Sequence, residues 1–485
     1  MCNKAANYAK LKLHTWNGEA RLFSQALDEA VHVFPLIEAV RLIAPTVSPE
    51  EIRSWRIGLF VPVTENLKRS CKNGSNITVW MVAAISAVAA EFELADAMDF
   101  SMRSDYGLPK LLAMGISDDH FWYEMSLQYQ DYVVRALAEW MYSIGIRRRH
   151  SNSVSETEFN SIGKQAADLM LAPLVVRFAN MEQPMLNDGT KLSRVPNQEL
   201  WGFVWRVLPT RIGLAQSAQS KNWDMLLDLP PDLPETRLPG VTSKRLDGLY
   251  AVQLVGKNWQ SLMRYGQRSS GHAHQESLHY DLQYRGVWIF RDIGTVGYGS
   301  PLHSEFFRRA QAHSVPLVAR DGQKPWPSVG HLAYFDTNTL TAKAVHENYQ
   351  PGSYVSRTLQ IDESHFFDRV DYDLGKKSAP VGLVFNTPCA VTPISGVQAN
   401  FMDTAGDDVA FRYWTARKFF DTKSEISLTL DCKGGEFDVR LSGKAIKMLL
   451  IGQTPDTQRP AKRQGIFLET DSINKTSIEI EIKPK

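Results

Sequence analysis

The hydrophobic period changes once in this chain, and the change coincides with a proline cluster. Before residue 228 apolar residues recur every three or four positions, the spacing of one helix face. After residue 240 they recur every second position, the spacing of a pleated strand. Between them stand Pro230, Pro231, Pro234 and Pro239. Proline fixes φ and removes a donor, so 228–240 reads as a linker. A chain built this way is an α+β multidomain protein. The expected division is an α-helical domain over 1–227, the linker 228–240, an antiparallel β-sheet domain over 241–400, and a C-terminal β extension or small sheet over 401–485.

In the first half, Phe23, Ala26, Leu27, Ala30, Val31 and Phe34 mark one helical stripe. Ser48-Pro49-Glu50-Glu51 is a capping box with proline at the first helical position. Residues 77–94 are apolar nearly all round, which predicts a buried helix. Tyr129, Tyr132, Val133, Ala136, Leu137, Trp140, Met141 and Ile144 form the clearest stripe. Ser155 with Glu158 is a second capping box, opening a helix towards Phe178. A further helix covers 197–208, stopped by Pro209. Successive helices with short connections point to an array of helical hairpins. In the second half, strands are expected at 250–255, 277–284, 287–292, 331–336, 354–361, 381–385, 426–430, 437–441 and 478–482. Many strands with hairpin-length gaps indicate an antiparallel β-sandwich.

Composition excludes some classes. The 485 residues carry a net charge of +1, so no strong overall field draws nucleic acid or a membrane surface. The longest apolar run, 79–90, is too short to span a bilayer. Cys2, Cys71, Cys389 and Cys432 are far apart, without a C-x-x-C pair, and predict neither a disulfide framework nor a cysteine zinc site. Residues 1–8 have no apolar h-region, so no signal peptide is read there. Gly294-x-x-Gly297-x-Gly299 lacks a strand–loop–helix context, so it is not a dinucleotide motif.

The histidines are concentrated. His272, His274, His279, His303, His313, His331, His346 and His365 are eight of the 12 in the chain. Imidazole suits metal ligation and proton transfer near neutral pH. In His272-Ala273-His274 the rings are two residues apart, so on a strand they share a face. Asp292 lies one short strand later and His313 beyond it. Two histidines and a carboxylate can hold Zn²⁺ or another divalent ion. His279 alternates with Leu278 and Leu282 and reads as a strand surface residue.

These residues stand in a telling order. H-x-H-x-[DE]-x-L runs from His272 to Leu278. Gly286 follows, then Asp292-Ile293-Gly294-Thr295, Tyr298, Arg308, Ala312-His313-Ser314-Val315 and Asp321-Gly322-Gln323. The pattern resembles the β-sheet domain of the heparinase II/III family of polysaccharide lyases, which includes heparin/heparan and alginate lyases. The resemblance is dense over about 50 residues, and its element order extends over most of the chain. It implies an incomplete (α/α) toroid before the β-sandwich, a structural Zn²⁺ held by His274, Asp292 and His313, and His272 facing a substrate cleft. Departures are Ala273 where a second glycine is usual, Glu276 for aspartate and Ser314 for asparagine.

The helical half adds an asparagine at the mouth of one helix and E-x-S-x-x-Y opening another. Here these are Asn76 and Glu124-x-Ser126-x-x-Tyr129. From the residues alone Asn76 reads as an N-cap and Tyr129 as a core aromatic. The resemblance implies instead that Asn76 neutralises a uronate carboxylate and Tyr129 transfers the proton, with Tyr123 and Tyr132 as alternatives. Glu124 and Tyr123 are expected to touch substrate. Many family members have histidine directly after the asparagine, whereas this chain has Ile77, which can be neither base nor donor.

Uronate chemistry accounts for these residue types. The C5 proton lies α to a carboxylate and is very weakly acidic. Its removal builds charge on the carboxylate, which aimed donors stabilise. A tyrosine base starts from a pKa of about 10 and needs cationic or donor neighbours such as His272, Arg103 or Arg135. Tyr298 is expected to line the cleft and Arg308, with Arg309, to pair with a sugar carboxylate. The basic run 147–150 suits a helix C-terminus. The expected function is β-elimination on an acidic polysaccharide or oligosaccharide, with no nucleic-acid or membrane partner. Two other readings stay open: a degenerate relative that binds acidic glycan without cleaving it, and an enzyme using the His/His/Asp metal site directly. Relatives of this kind are mostly periplasmic or secreted, and a cytoplasmic location stays open.

Overall fold

Helical and pleated segments sort into two units, but not at one point in the sequence. The first unit takes residues 1–122, 129–171 and 196–237, and the second takes 123–128, 172–195 and 238–485. The computed structural model describes residues 10, 23–148, 154–219, 226, 232–268, 271–400, 410–457 and 463–485. Residues 1–8 with Cys2, Arg149, His150, Pro230 and Pro231 lie outside the described residues. Helices with antiparallel sheets make this an α+β protein.

The helical unit contains α1 (Ala26–Ile43), α2 (Pro49–Trp55), α3 (Val61–Ser70), α4 (Asn76–Phe92), α5 (Ala95–Arg103), α6 (Leu108–Gly115), α7 (Leu127–Arg148), α8 (Glu156–Leu171), α9 (Gln198–Val204) and α10 (Leu214–Ser217). Both capping boxes form. Ser48 Oγ accepts from Glu51 N at 3.2 Å while Glu51 Oε2 accepts from Ser48 N at 3.1 Å. Ser155 and Glu158 repeat the exchange at the start of α8. Helix α4 is buried on nearly every face, as its continuous apolar sequence requires.

Helices α1, α4 and α7 run parallel. The Phe34 and Trp80 rings lie 6.0 Å apart, and seven residues after Phe34 Arg41 Nε donates to Glu91 Oε2 at 2.7 Å. Trp80 packs on Tyr132 at 5.1 Å, and further along both helices Trp140 Nε1 donates to Ser86 Oγ at 2.9 Å. Each contact pair advances in the same direction on both helices, which antiparallel neighbours cannot do.

The second unit holds two antiparallel sheets. The smaller has β1 (Lys244–Leu246), β2 (Ala251–Val255), β3 (Trp259–Arg264), β4 (Tyr280–Tyr284) and β5 (Val287–Phe290) in chain order. The larger contains β6 (Pro316–Val318), β7 (His331–Asp336), β8 (Thr341–Gln350), β9 (Ser353–Ile361), β10 (Phe366–Asp373), β11 (Ala379–Thr387), β12 (Ala390–Asn400), β13 (Thr415–Cys432), β14 (Gly435–Gly443), β15 (Ile446–Thr454), β16 (Arg463–Ile473) and β17 (Lys475–Pro484). Its order is β6-β11-β16-β15-β13-β14-β17-β10-β9-β8-β7, with β12 on β13. Strands after residue 410 therefore belong to the same sheet as β8–β10.

The two sheets share one core. Trp259 and Tyr280 of the small sheet meet Phe366 of the large one at 6.0 and 5.3 Å, and Trp259 meets Phe437 at 6.3 Å. A second cluster, with Ile293, Phe306, Phe307, Val315, Phe411, Trp414 and Phe467, underlies the segment carrying His303 and His313. Burying each such aromatic side chain contributes roughly 2–3 kcal/mol. Cys389 and Cys432 form a disulfide, contrary to the reading from cysteine spacing. Their 43-residue separation carries no local signature, and pairing of β12 with β13 brings them together. Cys71 is free and buried.

Candidate functional site

In the helical unit Asn76 is the buried first residue of α4, and Ser75 takes the N-cap position with extended backbone. The cap thus lies one residue earlier than the sequence reading put it. Tyr129 is half-buried in the first turn of α7. Because α4 and α7 run parallel, Asn76 and Tyr129 lie at the same end of the helical unit. Ile77 is 41% exposed beside Asn76. Burial, reinforced by Asp28, raises the Tyr132 phenol above its ordinary range. Arg103 is drawn to Glu158, and Arg135 stacks over Phe203 at 4.9 Å.

In the second unit the H-x-H stretch is not a strand. Residues 271–279 form an irregular segment ahead of β4, with Leu278 at φ +65°. The two-residue spacing still places both rings on one group, the carboxylate of Asp188. His274 Nε2 lies 2.8 Å from Asp188 Oδ1, and His272 Nδ1 lies 2.9 Å from Asp188 Oδ2. Tyr298 Oη donates to the same Oδ2 at 2.7 Å and is 2.7 Å from His272 Nδ1. On its other side His272 Nε2 stands 3.3 Å from Glu124 Oε1. Burial opposes charge on His272, but the hydrogen bonds to Asp188 and Glu124 override it and lift its pKa to about 9. Burial likewise opposes charge on Asp188, and its imidazole partners hold it well below the usual carboxylate range. His272 is therefore an imidazolium at neutral pH.

Asp188 and its surroundings escaped the sequence reading. The residue sits in Asn187-Asp188-Gly189-Thr190, a turn-forming run inside the helical half of the sequence that folds with the sheets. The D-x-G-T motif explains how this turn is held. Asp292 Oδ1 accepts from Gly294 N at 2.9 Å, bending the chain so that Thr295 N donates to Gly189 O at 2.8 Å. Asn187 Nδ2 donates to the carbonyls of Glu124 and Met125 at 3.3 and 3.1 Å. His303, also missed, pairs through Nδ1 with Thr295 Oγ1 at 2.6 Å.

Behind His272 lies a buried cluster of histidines and carboxylates. His274, Glu276 and His313 offer ligand atoms within 4.8 Å of one another, and so do His279, Asp292 and His313. Of the ligand set read from the sequence, His313 Nδ1 is 3.3 Å from Asp292 Oδ2, and the His274 and His313 rings are 5.2 Å apart. Buried here without a hydrogen-bond partner are His274 Nδ1 and Glu276 Oε2, and His313 Nδ1 has its ion pair with Asp292. Buried polar atoms are costly unless satisfied, and two imidazole nitrogens with a carboxylate oxygen are a donor set for a divalent cation. The residues thus fit a metal ion. Arg264 bridges the remaining oxygens, donating to Glu276 Oε1 at 2.8 Å and to Asp292 Oδ2.

Burial sets the charge states. It lowers His274 to about 4, leaving a neutral ring, and raises Glu276 to about 7 against the pull of Arg264. It works against charge on Asp292, but His313 and Arg264 hold that carboxyl well down. His279 is fully buried rather than a surface residue, because the chain around Ser314 covers it. Its Nδ1 accepts from Ser314 N at 2.9 Å, and burial lowers it to about 4.

The remaining candidates are less enclosed. Tyr298 is 59% exposed apart from its hydroxyl contacts. Arg308 Nε donates to Ala273 O at 3.0 Å and its guanidinium lies over Trp326 at 4.9 Å, so it braces the histidine segment. Tyr123 is half-buried, and burial with the adjacent Glu124 pushes its phenol up to about 12.

No family model matches this sequence, and no curated protein matches it. Solved structures do. The chain is similar to heparinase III, with a TM-score of 0.66 and 15% identity, over 95% of this chain and 69% of that one. A heparan sulfate lyase HepC mutant from Pedobacter heparinus gives 0.64 and 13%, over 99% and 73%. The Streptomyces coelicolor A3 chondroitin AC lyase, in complex with chondroitin sulphate, gives 0.52 and 8%, over 97% and 68%. The chain therefore has the α+β fold of these enzymes and is a structural relative of polysaccharide lyases.

Proposed function

We propose that the protein is a polysaccharide lyase that cleaves a uronate-containing glycan by β-elimination. One observation carries this reading: on a fold shared with polysaccharide lyases over nearly the whole chain, this sequence carries residue types that elimination needs, Asn76, Tyr129 and His272. The helical unit is read as an incomplete (α/α) toroid, supported by parallel α1, α4 and α7. The two sheets with one core are read as a β-sandwich.

In the proposed reaction Tyr129 takes the C5 proton, and Asn76 and His272 donate to the carboxylate as its charge grows. An imidazolium at His272 suits that task and is unsuited to a base. The electron pair left at C5 forms the C4–C5 double bond and expels the glycosidic oxygen, which receives the proton from Tyr129. Tyr123 and Tyr132 are poorer bases, since their surroundings raise both phenols. Glu124, Tyr123, Tyr298 and Arg308 are assigned to substrate contact or to its support. The partner is an acidic polysaccharide of the heparan or chondroitin kind, or an oligo-alginate.

The cofactor proposed is Zn²⁺, held by His274 and His313 with Asp292 as the family resemblance implies and Glu276 as the unpartnered carboxylate oxygen supports. It would brace the segment presenting His272. One residue favours a second reading: Ile77 supplies neither base nor donor, as in a relative that binds glycan without cleaving it.

The test is ultraviolet absorbance during incubation with a panel of uronate polysaccharides, since elimination makes a conjugated unsaturated uronate. A rise with one polymer, reduced at least ~100-fold in Tyr129→Phe, is expected. No rise with any polymer, from folded and metal-loaded protein, turns the reading to glycan binding alone.

A further inference from the structure

We propose that Asp188 is a positioning residue that holds the metal ligand His274 with one carboxylate oxygen and the cleft histidine His272 with the other. The inference rests on the lyase and zinc reading above, but its geometry is independent of any substrate. Asp188 is 1% exposed, and an ionised carboxylate only accepts hydrogen bonds. At 2.8 Å from Asp188 Oδ1, His274 Nε2 must therefore carry the ring proton. That fixes the tautomer and leaves the Nδ1 lone pair, which has no hydrogen-bond partner, as the ring's free ligand atom in a cluster with Glu276 and His313. Metal-bound histidines commonly donate their second nitrogen to a carboxylate, which sets ring orientation and basicity.

What distinguishes Asp188 is its other oxygen. Oδ2 receives His272 Nδ1 at 2.9 Å and Tyr298 Oη at 2.7 Å. One side chain thus spans the metal cluster and the residue assigned to the substrate carboxylate. The chain on either side of it is held from two directions. Thr295 N holds Gly189 O at 2.8 Å, and the Asn187 side chain holds the Glu124 and Met125 carbonyls. An amide at this position would aim its NH₂ group at one of two N–H donors, so asparagine is not an equivalent replacement. Filling the metal site would order His274, then Asp188, then His272, which makes His272 a reporter of metal occupancy.

The experiment measures Zn²⁺ affinity by competition with a chromophoric chelator, for the wild type and Asp188→Asn. A 10–100-fold weaker affinity in the variant is expected, with near-ultraviolet circular dichroism unchanged. Equal affinity in a folded variant overturns the proposal. Should the variant not fold, long-range ¹H–¹⁵N correlation on the metal-free wild type decides the matter. A proton on His274 Nε2 supports the proposal, and a proton on Nδ1 overturns it. Wild-type protein that takes up no Zn²⁺ overturns it through the metal. Weakened Zn²⁺ binding by Asp188→Asn, in a protein silent towards every uronate polymer, removes the lyase reading while the role of Asp188 stands.

Discussion

A Cβ placed on Gly294 would stand 1.9 Å from the carbonyl oxygen of Gly189. Gly294 also has φ +60°, a conformation that L side chains rarely adopt. The glycine of D-x-G-T is therefore a docking point for the Asp188 turn. Gly294→Ala should cost about 2–4 kcal/mol in denaturant unfolding and displace Asp188, weakening Zn²⁺ binding as well. A fully stable Gly294→Ala protein with intact metal affinity would contradict this account.

His272 tests the carboxylate-neutralising role. Glutamine keeps a donor but no charge. His272→Gln should lower kcat about 10²–10³-fold on the polymer that the absorbance screen identifies, the range for one lost oxyanion donor. The thermal midpoint should fall as well, because the ring pairs with the buried carboxylates of Asp188 and Glu124, so kcat is compared at a temperature where the variant is folded. A variant with unchanged kcat would move the assignment to another donor.

The unpartnered atoms give a direct comparison of ligand sets. If Glu276 Oε2 faces the ion, Glu276→Gln should weaken Zn²⁺ binding 10-fold or more, and Asp292→Asn should also destabilise the metal-free protein by removing one of the two carboxylates paired with Arg264. Isothermal titration and chemical denaturation of the two variants separate these effects. Unchanged affinity in Glu276→Gln would restrict the ligands to His274, Asp292 and His313.

Arg357 is fully buried. It pairs with Asp368 at 2.5 Å, donates to the carbonyls of Leu278 and Ser314 at 2.7 Å, and lies over the Tyr280 ring at 4.3 Å. Arg357→Leu leaves the buried Asp368 without its cation. The expected loss is about 3–5 kcal/mol, measured by guanidinium unfolding, and the double change Arg357→Leu with Asp368→Asn should recover part of it.

His346 sets a pH dependence away from the metal cluster. Burial, with His331 nearby, lowers its pKa to about 4, and Nε2 pairs with Ser328 Oγ at 2.9 Å. The native state holds fewer protons than the unfolded chain between the unfolded value of about 6.5 and 4. Its contribution is complete above about pH 6.5 and is lost as pH falls through that window, up to about 3 kcal/mol. Unfolding free energies at pH 7 and pH 5 for wild type and His346→Gln should differ in slope. Parallel slopes would show that His346 does not titrate with unfolding.

Local chemistry made much of this legible in the sequence. Ser48 with Glu51 and Ser155 with Glu158 each lie within one turn, so their capping boxes are written in adjacent residues. The strand expected at 331–336 matches β7 end to end, and 287–292 overruns β5 by two residues, where Asp292 leaves the sheet to hold Gly294. Non-local relations were harder to see. Asp188 lies 84 residues from His272 and in the wrong half of the hydrophobic pattern. His279 alternates like a surface residue, yet the face it points to is covered by the chain around Ser314. Cys389 and Cys432 meet only because β12 pairs with β13. Periodicity records which side of a segment is apolar and does not record what later covers the other side.

The parallel course of α1, α4 and α7 has a further consequence. Aligned peptide dipoles leave about half a positive charge at each helix N-terminus, and here three such ends face one way, including those of Asn76 and the α7 turn with Tyr129. A chain with a net charge of +1 can thus favour an anion at that end without lysines or arginines to provide the attraction. Such a field decays within a turn of helix. It is felt on contact and not at a distance, so it would select among anions already bound at that end and would not steer them from afar.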